Sequence, residues 1–192
     1  MEEDIKLINT DIVLCDGLFS LDELDSIQSI CNLYLKKIGG VTTITGDNQS
    51  RKSDYFYMPR EFITKFIYNK MTHAAKKINE EYFKFDILGA VSEGFLYLGY
   101  NQPGDHFDWH IDNSQNFRSS KEPVKMILVL QLSDPSEYEG GDAEVAGTGI
   151  TIIPKKKGLI WAIPGYTAHR VTPLKFGNRS ILSCWFTGPC FK

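Results

Sequence analysis

Cysteine is scarce in this chain: Cys15, Cys31, Cys184 and Cys190 are the only four, and no two stand in a CxxC spacing. A disulfide framework and a cysteine-built structural zinc site are therefore not expected, and the thiols are read as small buried apolar groups in a reducing compartment. Long hydrophobic runs are missing as well. Stretches such as Met126 to Leu130 are far too short to cross a bilayer, and the start MEEDIK is acidic where a secretion signal would be basic. A soluble, cytoplasmic protein without a membrane partner is expected. Nor is there a surplus of positive charge: 21 Lys and Arg stand against 24 Asp and Glu, for a net charge of −3, which gives no general attraction for a phosphate backbone and makes nucleic acid an unexpected partner. Internal repeats and linkers are also absent. What is present is 42% hydrophobic and 12% aromatic content over 192 residues, enough to bury a substantial core in one domain spanning residues 1–192.

The texture of the chain changes near Asp86. Before it, Ser20 and Glu23 form a capping box ahead of Leu24, Ile27, Cys31, Tyr34, Leu35 and Ile38 at helical spacing, with Gly39 and Gly40 as the stop. After a polar segment, Thr45 to Asp54, Pro59 is placed to begin a second helix whose broad apolar stripe includes Phe62, Ile63, Phe66, Ile67, Met71, Ala74, Ala75 and Ile78. Residues 1–85 thus read as a helical support region. From Asp86 onward come short β-rich runs: Ile87 to Val91, Phe95 to Tyr100, His106 to Asp112, Met126 to Leu132, Gly149 to Ile153, Leu159 to Ile163 and Ile181 to Phe186. Turn sequences such as Gln102-Pro103-Gly104, Glu139-Gly140-Gly141-Asp142 and Pro164-Gly165 separate them. The expected fold is mainly β with flanking helices, an α+β arrangement in which residues 86–192 form a double-stranded β-helix, a cupin-like jelly roll, and the N-terminal helices pack on one sheet.

The most informative stretch is Tyr100 to Asp112, YNQPGDHFDWHID. Strict strand alternation puts His106, Asp108, His110 and Asp112 on one face and Phe107, Trp109 and Ile111 on the other. A histidine and a carboxylate two residues apart converge on one ion, and a distant second histidine, His169, completes a facial triad. Arg179 follows on the next strand. His106 and Asp108 share the proposed ligand face but are surplus to a three-ligand site, and His73 reads as a residue flanking the second helix's stripe. Lys155, Lys156 and Lys157 read as a solvated hairpin end.

The order HxD, distant His, then Arg, together with Gly104-x-x-Phe107-x-x-His110-x-Asp112, QLSDPSEYEGGD, HRVTP, Gly177-x-Arg179 and Trp185, resembles the Fe(II)- and 2-oxoglutarate-dependent dioxygenases, and within them the prolyl 4-hydroxylase-like, PKHD-type group with its bacterial and phage members. The resemblance runs from about Arg51 to Pro189. It implies His110, Asp112 and His169 as ligands of Fe(II) and as the catalytic centre. It implies Arg179 as the anchor of the 2-oxoglutarate cosubstrate, with Tyr100 and Gln131 as further cofactor-binding residues. Gln131 stands where animal prolyl hydroxylases have a tyrosine, and Ile181 stands where many relatives have the serine of an Arg-x-Ser pair. Oxygen is the second cosubstrate and ascorbate an accessory reductant. The implied reaction hydroxylates a C–H bond while 2-oxoglutarate is decarboxylated to succinate and carbon dioxide.

Proline in a peptide or protein is the substrate the resemblance implies. Trp185 matches a tryptophan bordering the substrate pocket, and Arg51-Lys52-Ser53 matches a segment that covers peptide in some prolyl hydroxylases. Asn113 to Pro123 and residues 45–58 are candidate flaps. The chief enzymatic alternative is hydroxylation of a free amino acid or other small molecule. The alternative of another class is a non-catalytic cupin-like metal- or ligand-binding module. A nucleic-acid demethylase is disfavoured by Trp185, where that group carries a further arginine. A halogenase is disfavoured by the intact Asp112. For a phage-encoded chain the location would be the host cytoplasm.

Overall fold

The computed structural model describes residues 3–37, 42–43, 50–91, 93–112 and 122–191. In chain order its elements are β1 (Asp4–Asn9), β2 (Ile12–Asp16), α1 (Leu21–Lys37), β3 (Thr42–Thr43), β4 (Arg51–Lys52), β5 (Asp54–Met58), α2 (Lys65–Ile78), β6 (Gly89–Ala90), β7 (Phe95–Tyr100), β8 (His106–His110), β9 (Val124–Gln131), β10 (Tyr138–Gly140), β11 (Ala143–Ala146), β12 (Ile150–Ile152), β13 (Ile160–Pro164), β14 (His169–Val171), β15 (Leu174–Gly177) and β16 (Arg179–Thr187). A nine-stranded sheet runs β1-β2-β13-β9-β16-β7-β5-β3, with β6 paired to one end of β16. A five-stranded sheet runs β12-β11-β14-β8-β4, and β10 and β15 form a separate pair.

Period-two alternation divides the large sheet's side chains between two cores. Met126, Leu128 and Leu130 of β9, Leu182, Cys184 and Phe186 of β16, and Ile160 and Ala162 of β13 face the helices, where they meet Leu24, Ile27, Cys31 and Tyr34 of α1 and Ile67, Met71, Ala74 and Ile78 of α2. The intervening Ile127, Val129, Trp161, Ile163, Ile181 and Trp185 face the small sheet and join Ala143, Val145 and Val171. Strands buried on both faces read as nearly continuous apolar runs, as VKMILVLQ does. Helices on one sheet and a second sheet across the other face give the double-stranded β-helix expected from the sequence.

Several local expectations need correction. The first 85 residues are not only helical: β1 and β2 extend the large sheet at one edge, β5 joins it beside β7, and β4 lies on β8. The α1 capping box is present, with the Glu23 carboxylate accepting from Ser20 N–H at 2.8 Å and Ser20 Oγ accepting from Glu23 N–H at 3.2 Å. The proposed stop at Gly39 and Gly40 lies outside the described residues. Pro59 does not open α2. Glu61 instead caps a short 3-10 turn, Phe62–Thr64, that leads into it, which leaves Phe62 and Ile63 exposed rather than in the apolar stripe. The Ile87 to Val91 run shrinks to β6, Gly89 and Ala90, which stand opposite Thr187 and Phe186 of β16. Cys15, Cys31 and Cys184 are buried, whereas Cys190 is exposed.

The turn between β15 and β16 depends on glycine. Gly177 has φ 81°, and a Cβ there would lie 1.9 Å from the Glu137 carbonyl oxygen, so backbone meets backbone with no flexible side chain to yield. Gly177→Ala is expected to destabilise the fold by more than about 1 kcal/mol, because both positive φ and overlap must be relieved. Because Arg179 lies two residues further on, the same change should weaken binding of any ligand that uses Arg179. Chemical denaturation checks the first effect; an unchanged midpoint would contradict it.

Candidate metal centre and cosubstrate pocket

The two histidines meet because β8 and β14 are antiparallel neighbours with His110 directly opposite His169. Between that pair and Val171–Phe107 the register shifts, so Asp108 and Trp109 together stand opposite Arg170. This bulge breaks the strict alternation expected from the sequence, as bulges beside functional sites do. Asp108 and Trp109 are both exposed, while Phe107 and His110 both turn inward and stack, ring centroids 3.5 Å apart and planes 13° apart. Asp112, two residues past His110, lies beyond the end of β8 and still faces the cluster. One ligand atom from each of His110, Asp112 and His169 lies within 4.8 Å of the others.

The tautomers suit a metal. His110 Nδ1 is 2.7 Å from the Asp108 carbonyl and His169 Nδ1 is 3.1 Å from the Thr167 carbonyl, and because a carbonyl only accepts, each Nδ1 carries the proton. Both Nε2 lone pairs are left for a cation. They lie 3.8 and 3.9 Å from the Asp112 carboxylate oxygens. The Trp185 indole N–H donates to Asp112 Oδ2 and orients that carboxylate. Two imidazoles and one carboxylate with open positions form the donor set that holds non-haem Fe(II).

Burial pushes the His110 imidazole down to about 4, helped by the neighbouring His169 and opposed by Asp112. An unfolded histidine titrates near 6.5. The neutral ring's contribution to stability is therefore complete above about pH 6.5 and is lost as pH falls toward 4. The metal-free protein should lose more thermal stability across that window than metal-free His110→Gln. Parallel curves for the two would contradict this.

A cavity of about 400 Å³ lies between the sheets beside the cluster, and Tyr55, Tyr100, Trp161, Ser183 and Trp185 are among the residues that line it. Arg179 is 1% exposed, directly opposite Tyr100 on the neighbouring strand, with its guanidinium 5.3 Å from the Tyr100 ring centroid. It does not itself surface the cavity. Among the described residues, none of its three guanidinium nitrogens has a hydrogen-bond partner, and neither does the Tyr100 hydroxyl. Burial raises the Tyr100 phenol and the Arg179 charge opposes this, so the hydroxyl remains a donor. Gly141 makes room for this arrangement, since a Cβ there would sit 3.1 Å from Arg179 Cδ. A buried cation with every donor unused fits a carboxylate ligand.

The other candidates are placed as follows. Arg51 lines the cavity with its guanidinium 5.1 Å from the Tyr55 ring and 5.3 Å from Phe107. Trp185 lines the cavity and holds Asp112. Gln131 is not brought into the site: its amide donates to the Pro154 carbonyl at 2.7 Å, and it is not among the residues that line the cavity. His106 and Asp108 stay outside the ligand cluster. Residues 113–121 of the proposed flap, and residues 45–49 of the other, lie outside the described residues.

Sequence reasoning missed Trp161, Ser183 and Asp105. Alternation along the strands before His169 and after Arg179 could have found the first two. Asp105 accepts from the N–H groups of Asn101 and Gln102 at 2.8 and 2.9 Å and pairs with Lys52 at 3.2 Å, fixing the turn that launches β8. The Pro-Gly-Asp turn sequence was its signal.

The 2OG-Fe(II) oxygenase superfamily profile matches residues 95–187, which include the whole ligand cluster, Arg179 and Tyr100. Those residues are similar to that superfamily and make up just under half of the chain. The chain is also similar to a PKHD-type hydroxylase of Pseudomonas fluorescens, 36% identical over 86 residues that cover 43% of this chain and 38% of the relative. The chain thus spans about two fifths of the length of the curated relatives it matches. A crystal structure of a Pseudomonas putida prolyl-4-hydroxylase shares the fold, with a TM-score of 0.70 at 17% identity over 94% of both chains. So does a Trichoplax adhaerens prolyl hydroxylase in complex with a hypoxia inducible factor peptide fragment, with a TM-score of 0.75 at 13% identity, covering 93% of this chain and 84% of that one. Among the described residues, no helix is long and apolar enough to cross a membrane.

Proposed function

We propose that this chain is an Fe(II)- and 2-oxoglutarate-dependent dioxygenase that hydroxylates proline in a peptide or protein. The observation that carries the reading is the buried Arg179 and Tyr100 pair, without hydrogen-bond partners among the described residues, near the His110, Asp112 and His169 cluster. In this reading those three residues hold the iron, which when bound with 2-oxoglutarate supplies oxygen activation coupled to release of succinate and carbon dioxide. The Arg179 fork takes the far carboxylate bidentately, with Tyr100 as a second donor. Trp185 holds the Asp112 carboxylate in position. The apolar cavity wall, Leu96, Leu98, Val129 and Ile181, excludes water from the reacting centre. The prolyl assignment draws on what the relatives are named for. A free amino acid substrate is the second reading, favoured by Arg51, whose guanidinium lies over the Tyr55 and Phe107 rings in the cavity wall and can take a substrate carboxylate.

The test is incubation of proline peptides and free amino acids with the protein, Fe(II), ascorbate, 2-oxoglutarate and air, reading succinate release and oxygen incorporation by mass spectrometry. Oxygen on a peptidyl proline supports the reading. Oxygen only on a free amino acid moves the substrate to the second reading. No succinate under any condition would leave a cupin-like binding module.

A further inference from the structure

One polar group in the cavity has no use in the mechanism above. Trp161 of β13 is buried and lines the cavity, yet its indole N–H has no acceptor among the described residues. A buried tryptophan ordinarily finds a partner for this donor, since leaving it unpaired forfeits the hydrogen bond that water gave it. The indole of Trp185 contrasts with it, since its N–H is committed to Asp112. Trp161 also stands edge-on to His169, with centroids 6.0 Å apart and planes at 73°.

The strand registers fix its level in the cavity. Trp161 pairs with Val129 on β9, and Val129 pairs with Ser183 on β16. On β16, Trp185 and its bound Asp112 lie one inward-facing position to one side of Ser183, and Arg179 lies two such positions to the other. Trp161 is therefore level with the stretch between the proposed iron ligands and the guanidinium. A dicarboxylate held at both ends passes that level. We propose that the Trp161 N–H donates a hydrogen bond to the 2-oxo acid cosubstrate, at the carboxylate next to its keto group. This rests on the function proposed above, and it gives the cosubstrate a donor in addition to Arg179 and Tyr100.

The test uses the full chain loaded with Zn(II), a diamagnetic stand-in for iron. The chain has three tryptophans, so its indole N–H resonances can be assigned by comparing the wild type with Trp109→Phe and Trp161→Phe. On titration with 2-oxoglutarate the Trp161 resonance is expected to move downfield, while that of Trp109, exposed on the outer face, stays in place. By calorimetry, Trp161→Phe is expected to weaken 2-oxoglutarate binding about tenfold, equivalent to about 1.4 kcal/mol, with Zn(II) affinity unchanged. The proposal is overturned if the Trp161 resonance moves only when a peptide substrate is added. It is also overturned if wild-type binding that Arg179→Met abolishes is untouched by Trp161→Phe; the function proposed above then still stands. A Zn(II)-loaded wild type that does not bind 2-oxoglutarate at all overturns both.

Discussion

Arg179→Met is expected to make the protein more stable and at the same time to remove its response to 2-oxoglutarate. Both effects come from one feature, a guanidinium that is 1% exposed with no acceptor for any of its nitrogens among the described residues. A charge taken out of water without a partner opposes folding, and the Tyr100 ring beneath it returns only about 0.5–2 kcal/mol through cation–π attraction. An unbranched apolar side chain fills much of the same space without a charge. The gain should be at least about 1 kcal/mol, or roughly 2–4 °C in melting temperature for a chain of this size. Against that, each charge-assisted hydrogen bond to a carboxylate is worth about 1.5–3 kcal/mol, so losing the fork should weaken the cosubstrate by roughly tenfold to several hundredfold. Metal binding should be unchanged, because Arg179 is not in the ligand cluster. A variant that is less stable and equally responsive to 2-oxoglutarate would mean that the guanidinium has a structural partner and no ligand.

The sequence was legible where periodicity and chemistry coincide. The nearly continuous apolar runs Met126 to Leu132 and Ile181 to Phe186 marked two strands, and the Ser20 and Glu23 box located the start of α1. Legibility ended where tertiary pairing overrides local preference. DIKLIN alternates only weakly and becomes a strand because β2 supplies its partner. The β8 bulge could not be read from HFDWH, because it arises from pairing with β14; alternation alone would have sent Phe107 away from His110 instead of against it. The family resemblance puts Gln131 in the site, where animal prolyl hydroxylases have a tyrosine. The Pro154 carbonyl, distant in sequence, takes its amide. Trp161 carried no motif, and its interest lies in an N–H whose lack of a partner is a property of the folded cavity.

Asp112→Ala should abolish metal-dependent stabilisation altogether. Asp112 supplies the only carboxylate in the ligand cluster found among the described residues, and without it two neutral imidazoles remain to hold a divalent ion. A metal that binds only the folded state stabilises it by about 2.7 kcal/mol at a hundredfold excess over its Kd, so the wild type should melt several degrees higher with Mn(II) or Fe(II) than without. Asp112→Ala should show no such increment and no 2-oxoglutarate consumption under air. Trp185→Phe provides the graded comparison. It removes the N–H that orients the carboxylate but keeps the carboxylate, and loss of such outer partners typically costs about 10- to 100-fold in metal affinity, so the metal-induced rise should shrink without vanishing. The ordering wild type, Trp185→Phe, Asp112→Ala in metal-induced melting shift is the decisive result. An Asp112→Ala protein that gains as much from metal as the wild type would place the ion elsewhere and remove the ground for an oxygenase reaction at this cavity.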